Sequence, residues 1–140
     1  MRKPKIVMVF GTFDLIHPGH LYFLRAAKKQ GQKLVVSIAR DINVKKIKKR
    51  APMFSELRRA SAIKKTKIAD QIVLGGKTDY ISHILKMAPD IICLGYDQYA
   101  YTKNLRRDLK KAGLKTKIIR LKSFKPHIYK SSKLKQNLLQ

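Results

Sequence analysis

Gly11-Thr12-Phe13-Asp14-Leu15-Ile16-His17-Pro18-Gly19-His20 lies between an apolar run and a helical pattern, and its reading decides the fold. Upstream, Lys5-Ile6-Val7-Met8-Val9-Phe10 is short, apolar and partly β-branched, as a strand covered on both faces of a parallel sheet should be. Gly11 ends that strand. Pro18 suits a first helical position, where its missing N–H costs nothing. His20 follows His17 by three residues, so both imidazoles can reach one point near a helix N-terminus. Unpaired N–H groups and the positive end of the helix dipole favour an anion there. The stretch therefore reads as a phosphate site, with two imidazole donors completing a clamp for a polyphosphate. Two histidines at this spacing also suit a helix cap, a surface position or a zinc pair. A single cysteine, Cys93, and no carboxylate-histidine cluster elsewhere weigh against zinc.

The chain of 140 residues is long enough for a three-layer α/β core without disulfides or metals, and it predicts one domain over residues 1–140. Cys93, inside Ile91-Ile92-Cys93-Leu94, reads as a small buried hydrophobe in a reducing compartment. No apolar run approaches the length of a membrane span and no signal-peptide pattern is visible, which predicts a soluble cytoplasmic protein without membrane insertion. The formal net charge is +25, with 33 Lys and Arg against 8 Asp and Glu. Such a balance attracts anions, whether nucleotides, nucleic acid or an acidic membrane surface. Because the charges recur along the whole chain, they equally suit solvated helix faces, with any nucleic-acid affinity incidental.

Beyond the opening stretch, Leu21, Phe23, Leu24 and Ala27 line one side of a helix predicted to stop near Gly31. Leu34–Ala39 makes a second buried strand, and Arg40 and Asp41 at its carboxyl end face the ligand crevice of an open α/β sheet. They are candidate ligand contacts, or else an exposed loop pair. Residues 43–52 are polar and basic with little apolar surface, and read as a mobile loop. Ser55 caps a helix bearing Glu56, Arg58 and Arg59 in its first turn. Ile72–Leu74 is a short strand, Tyr80–Met87 a helix with His83 on its surface, and Ile91–Leu94 a fourth strand. Gly95, Asp97 and Gln98 follow on the crevice side, where glycine permits close approach and the polar pair can read a base or ribose. A helix through Leu105, Leu109 and Ala112 stops at Gly113, and residues 117–121 form a fifth strand. Ser131 or Ser132 caps a last helix, a second cradle for phosphate. Alternating strands and helices predict an α/β fold, a single Rossmann-like, doubly wound domain on a five-stranded parallel sheet.

The Gly-Thr-Phe-Asp-x-x-His-x-Gly-His string resembles the signature of the cytidylyltransferase-like nucleotidyltransferases, and the resemblance extends over essentially the whole chain. It implies that a nucleoside triphosphate, ATP or CTP, reacts with a phosphorylated small-molecule acceptor and releases pyrophosphate, with Mg²⁺ as the divalent cation. His17 and His20 would hold the triphosphate, assisted by Gly11, Thr12, Phe13 and Gly19. Asp14 would fix the turn or help hold Mg²⁺, while Lys46 and Lys48 would close over the phosphates. The Glu-x-Arg spacing resembles the family pattern with Arg58 in the anion-binding position, and Ser131-Ser132 resembles its Ser/Thr-rich helix start. Glycerol-phosphate cytidylyltransferases carry an Arg and a Gly-Ile-Ser-Thr-Thr core there, whereas this chain has Lys125 and Ile128-Tyr129-Lys130-Ser131-Ser132. Ala39-Arg40-Asp41 and Gly95-Tyr96-Asp97-Gln98 are more similar to archaeal-type FAD synthases, which implies transfer of AMP from ATP to FMN. A CTP-dependent alcohol-phosphate cytidylyltransferase is the alternative, and a non-catalytic basic nucleotide- or RNA-binding module is the reading from another class. Related enzymes are often homodimers.

Overall fold

A computed structural model of the chain describes residues 3–77, 79–96, 98 and 104–122. Asp97, Ser131, Ser132 and the last predicted helix lie outside the described residues. In order, the elements are β1 (Ile6–Gly11), α1 (Pro18–Lys28), β2 (Lys33–Ile38), α2 (Asp41–Lys48) and α3 (Glu56–Lys65). There follow β3 (Gln71–Leu74), α4 (Tyr80–Met87), β4 (Ile91–Leu94), α5 (Leu105–Lys111) and β5 (Lys117–Arg120). The strands form one sheet in the order β3-β2-β1-β4-β5, every neighbouring pair parallel. This is the α/β, Rossmann-like arrangement that the alternating pattern predicts.

Side chains of each central strand supply both faces, which is why β1 and β2 read as continuous apolar runs. Val7 and Val9 of β1 pack with Leu24 and Ala27 of α1 and Ile63 of α3, while Met8 enters the opposite layer with Ile84, Leu105 and Leu109. α1 and α3 thus cover one face, α4 and α5 the other. Cys93 is fully buried in the first layer, and loss of solvent pushes its thiol up to about 11. β1 lies between β2 and β4: the chain runs from β1 outward through β2 to β3, then crosses back to β4 on the other side, so the strand order reverses beside β1. Ligands of open α/β sheets bind at that switch point, and Gly11-Thr12-Phe13-Asp14 leaves β1 directly into it. Among the described residues no helix is long and apolar enough to cross a membrane.

Two local expectations are corrected. The basic stretch read as a mobile loop is helical to Lys48: α2 holds one buried side chain, Val44, and its head is tied to the head of α3. Lysine is a good helix former, and a non-local tie supplies what a full apolar face otherwise would. Second, α1 ends at Lys28 with Lys29 in right-handed geometry, so Gly31 is not a left-handed cap. Its requirement is space, because a Cβ there would meet the Lys5 carbonyl oxygen and Val7 Cγ2, both at 2.8 Å. Gly113, at φ +79, is the left-handed stop predicted for α5.

Gly31→Ala must displace the backbone at the start of β1 and is expected to cost about 1–3 kcal/mol, the usual range for overpacking. Chemical denaturation measures this, and a variant as stable as the parent would contradict the close approach.

Candidate active site

The head of α1 is capped by its own histidines. His17 is the N-cap; its Nδ1 accepts from the Gly19 N–H at 3.1 Å, and the His17 N–H reaches His20 Nδ1 at 3.4 Å. An imidazole that accepts at Nδ1 carries its proton on Nε2 when neutral, so both rings are Nε2–H tautomers. Their centroids lie 3.9 Å apart with 31° between the planes, which puts the two rings side by side. Burial pushes His20 down to about 3, aided by the neighbouring His17 ring and, more weakly, by Lys48, while a hydrogen bond with the Leu15 backbone pulls the other way. Burial also lowers His17. At neutral pH the site therefore presents two uncharged imidazoles rather than two cations. The first-turn amide of Gly19, which the sequence assigns to an anion, is satisfied by His17 here.

Phe13 sits in the left-handed region at φ 52, with its ring edge against His20 at a centroid distance of 5.5 Å. Gly11 makes room for that ring, since a Cβ at Gly11 would lie 2.6 Å from it. Asp14 is buried, and its carboxylate oxygens accept the backbone N–H groups of Met53 at 2.6 Å and Phe54 at 2.8 Å. Of its two predicted roles, this geometry is that of a residue fixing the turn. Thr12 contributes its carbonyl, which accepts from Arg59 Nη1 at 2.8 Å.

Arg59 is fully buried, whereas Arg58, the predicted anion-binding residue, is exposed on α3. Arg58 lines a shallow groove of about 440 Å³ between α3 and the Leu15-Ile16 segment. Arg59 also donates from Nε to the Phe54 carbonyl and from Nη2 to Asp41 Oδ1 at 2.6 Å. Asp41 and Glu56, the first residues of α2 and α3, cap each other's helix: each carboxylate accepts the other's backbone N–H. Arg40 joins Glu56 Oε2 at 3.1 Å and the Gly75 carbonyl at 2.9 Å. Arg40 and Asp41 are thus at the carboxyl end of β2, as predicted, with side chains already held by protein groups.

Lys46 and Lys48 are both exposed on α2. Two residues apart on a helix are about 200° apart around its axis, so the pair does not converge on one point as a loop would allow. Lys48 is the one whose charge is felt at His20. Across the switch point, the Gln98 amide donates to the Phe10 carbonyl at 2.9 Å and its oxygen accepts from Gly95 N–H at 3.1 Å. Arg120 clasps the Gly95 and Gln98 carbonyls at 2.7 and 3.0 Å from the end of β5, so this segment is tied to β5 by Arg120 and to the end of β1 by Gln98.

Sequence reasoning missed the inward placement of two residues. Arg59 stands four positions before the buried Ile63, hence on the inner face of α3, and that spacing was the available signal. His83, read as a surface residue, lies on the Tyr80-Ile84-Met87 side of α4, half-buried, with Nε2 2.9 Å from Ser37 Oγ.

Residues 8–137 match the family described as Cytidylyltransferase-like, and the chain belongs to that family of nucleotidyltransferases. The chain is 49% identical over 121 residues to an FAD synthase of Korarchaeum cryptofilum, covering 84% of this chain and 82% of that protein. It is 36% identical over 134 residues to an FAD synthase of Thermoplasma acidophilum, covering 96% and 94%. Among solved structures it superposes with a TM-score of 0.81 and 35% identity on a Thermoplasma volcanium protein described as a lipopolysaccharide core biosynthesis protein, over 87% of this chain and 99% of that one.

His20 binds a proton less readily in the folded chain, at about 3, than at the ordinary value of 6.5, so the unfolded state takes up more protons below that value. Its stabilising contribution is complete above pH 6.5 and is lost as pH falls toward 3. The melting temperature should therefore drop across this window, and His20→Asn should flatten the drop. An identical pH profile for His20→Asn would contradict a buried neutral ring.

Proposed function

We propose that this protein transfers the adenylyl group of ATP to FMN, forming FAD and releasing pyrophosphate. The observation that carries this reading is the pair of neutral Nε2–H imidazoles at the switch point of a chain whose relatives bear the name FAD synthase. An FMN phosphate oxygen attacks the α-phosphorus of ATP, the bond to the β-phosphate bridging oxygen breaks, and pyrophosphate carries away the charge. The acceptor phosphate is already ionised near neutral pH, so no side chain must act as base. Catalysis then consists of holding the two reactants in line and stabilising charge on the transferring and leaving oxygens.

In this reading His17 and His20 donate to the triphosphate, His20 exchanging its Leu15 backbone acceptor for a phosphate oxygen, and Gly11, Thr12, Phe13 and Gly19 shape the turn that receives it. Lys48 supplies positive charge from α2, with Lys46 further round the helix, and Arg58 supplies it from α3. Gly95, Asp97 and Gln98 face the nucleoside, Arg40 and Asp41 face the acceptor from fixed positions, and Ser131 and Ser132 complete the phosphate cage. Mg²⁺ enters this reading as part of the substrate, bound to the triphosphate. The chain acts as a single nucleotidyltransferase domain, in the cytoplasm and as a homodimer, with nucleic-acid affinity an incidental consequence of its charge.

Pyrophosphate release should be fastest with ATP and FMN when ATP and CTP are crossed against FMN and glycerol 3-phosphate. His17→Ala and His20→Ala should each lower kcat by about a hundredfold to a thousandfold, the usual loss of one transition-state donor. Turnover only with CTP and glycerol 3-phosphate would overturn the flavin assignment, and variants within about threefold of the parent would overturn the histidine roles.

A further inference from the structure

Arg59 has no exposed side-chain surface, and it stands behind the phosphate-binding turn rather than in the crevice. A buried guanidinium is tolerated only when its charge and its N–H groups are all answered. Here one planar fork serves three parts of the chain: Nη1 takes the Thr12 carbonyl, Nε the Phe54 carbonyl, and Nη2 the Asp41 carboxylate.

These contacts close a ring around Phe13. Arg59 holds the carbonyl before it, the Met53 and Phe54 amides hold the Asp14 carboxylate after it, and Arg59 grips Phe54 as well. A left-handed phenylalanine stores strain of about 1–2 kcal/mol and persists only where its surroundings over-determine it. The Phe13 ring in turn abuts His20. Moving the Thr12 carbonyl therefore moves Phe13 and the imidazole it supports.

We infer that Arg59, anchored by Asp41, is a positioning residue for nucleotidyl transfer: it fixes the turn that aims His20 at the triphosphate, without touching substrate. Lysine cannot replace it, because an ammonium on a flexible stem lacks the fork that spans three acceptors at once. The same fork links the turn to the head of α2, so the helix that carries Lys48 and the turn that carries the histidines are set against one guanidinium.

The inference rests on the nucleotidyltransfer reading, and its test separates the two. In Arg59→Lys, kcat for pyrophosphate release should fall about tenfold to a hundredfold, as a misplaced catalytic group does, with KM for FMN unchanged. Arg59→Met should lose at least as much, the lysine giving partial rescue. In ligand-free protein labelled at histidine, the His20 ring resonances should shift in Arg59→Lys while the methyl resonances of Val9, Leu24 and Ile63 stay in place. A kcat within about twofold of the parent overturns the inference, even if the melting temperature drops. Should the parent turn over no FMN, the adenylylation reading fails while Arg59 is still decided by NMR: a shifted His20 ring supports the inference and an unmoved one overturns it. If Arg59→Lys does not fold, Asp41→Asn, which weakens one arm of the fork, is read by the His20 ring resonances alone: a shifted ring supports the inference and an unmoved one overturns it.

Discussion

The chain leaves β1 at Gly11 and must bring two imidazoles to the head of α1, which it does by turning through a left-handed Phe13. Everything near the site is arranged to hold that turn. Gly11 gives the Phe13 ring its space, Asp14 borrows two amides from the segment before α3, and Arg59 takes the Thr12 carbonyl from behind. The rest of the fold supplies rigidity. β1 is the central strand, apolar on both faces, so the point from which the turn departs is fixed by both core layers.

Charge is divided between surface and site in a way that suits a polyphosphate substrate. The net charge is +25, and among the described residues most lysines and arginines are exposed, with a field that raises the local concentration of anions and that salt will screen. At the head of α1 and behind the Phe13 turn the protein instead presents neutral dipoles and balanced charge: imidazole N–H groups lowered in basicity by burial, and a set of Arg40, Arg59, Asp41 and Glu56. Fixed dipoles in a partly dehydrated site cost little reorganisation when charge develops on a bridging oxygen.

The sequence made the strands and their parallel order legible because buried strands of such sheets are continuous apolar runs, and the glycines and prolines between them mark the turns. The paired histidines were legible by spacing. What local pattern could not disclose is what long-range contacts decide. α2 owes its start to a reciprocal cap with Glu56, and nothing within residues 43–52 announces that partner. Arg58 and Arg59 are neighbours of one chemical type, and only the position of Ile63 on the inner face of α3 distinguishes the exposed arginine from the buried one. His83 was misplaced for a similar reason, since a polar residue on a core-facing stripe is satisfied by Ser37, a partner 46 positions away.

The central claim is that a triphosphate is received by two neutral histidines at the carboxyl end of β1. A crystal structure with a non-hydrolysable ATP analogue tests it most directly. The account predicts phosphate oxygens within hydrogen-bonding distance of Nε2 on both His17 and His20, with the Phe13 turn unmoved. A triphosphate seated elsewhere, in the groove along α3 for example, with neither imidazole touching a phosphate, would contradict it.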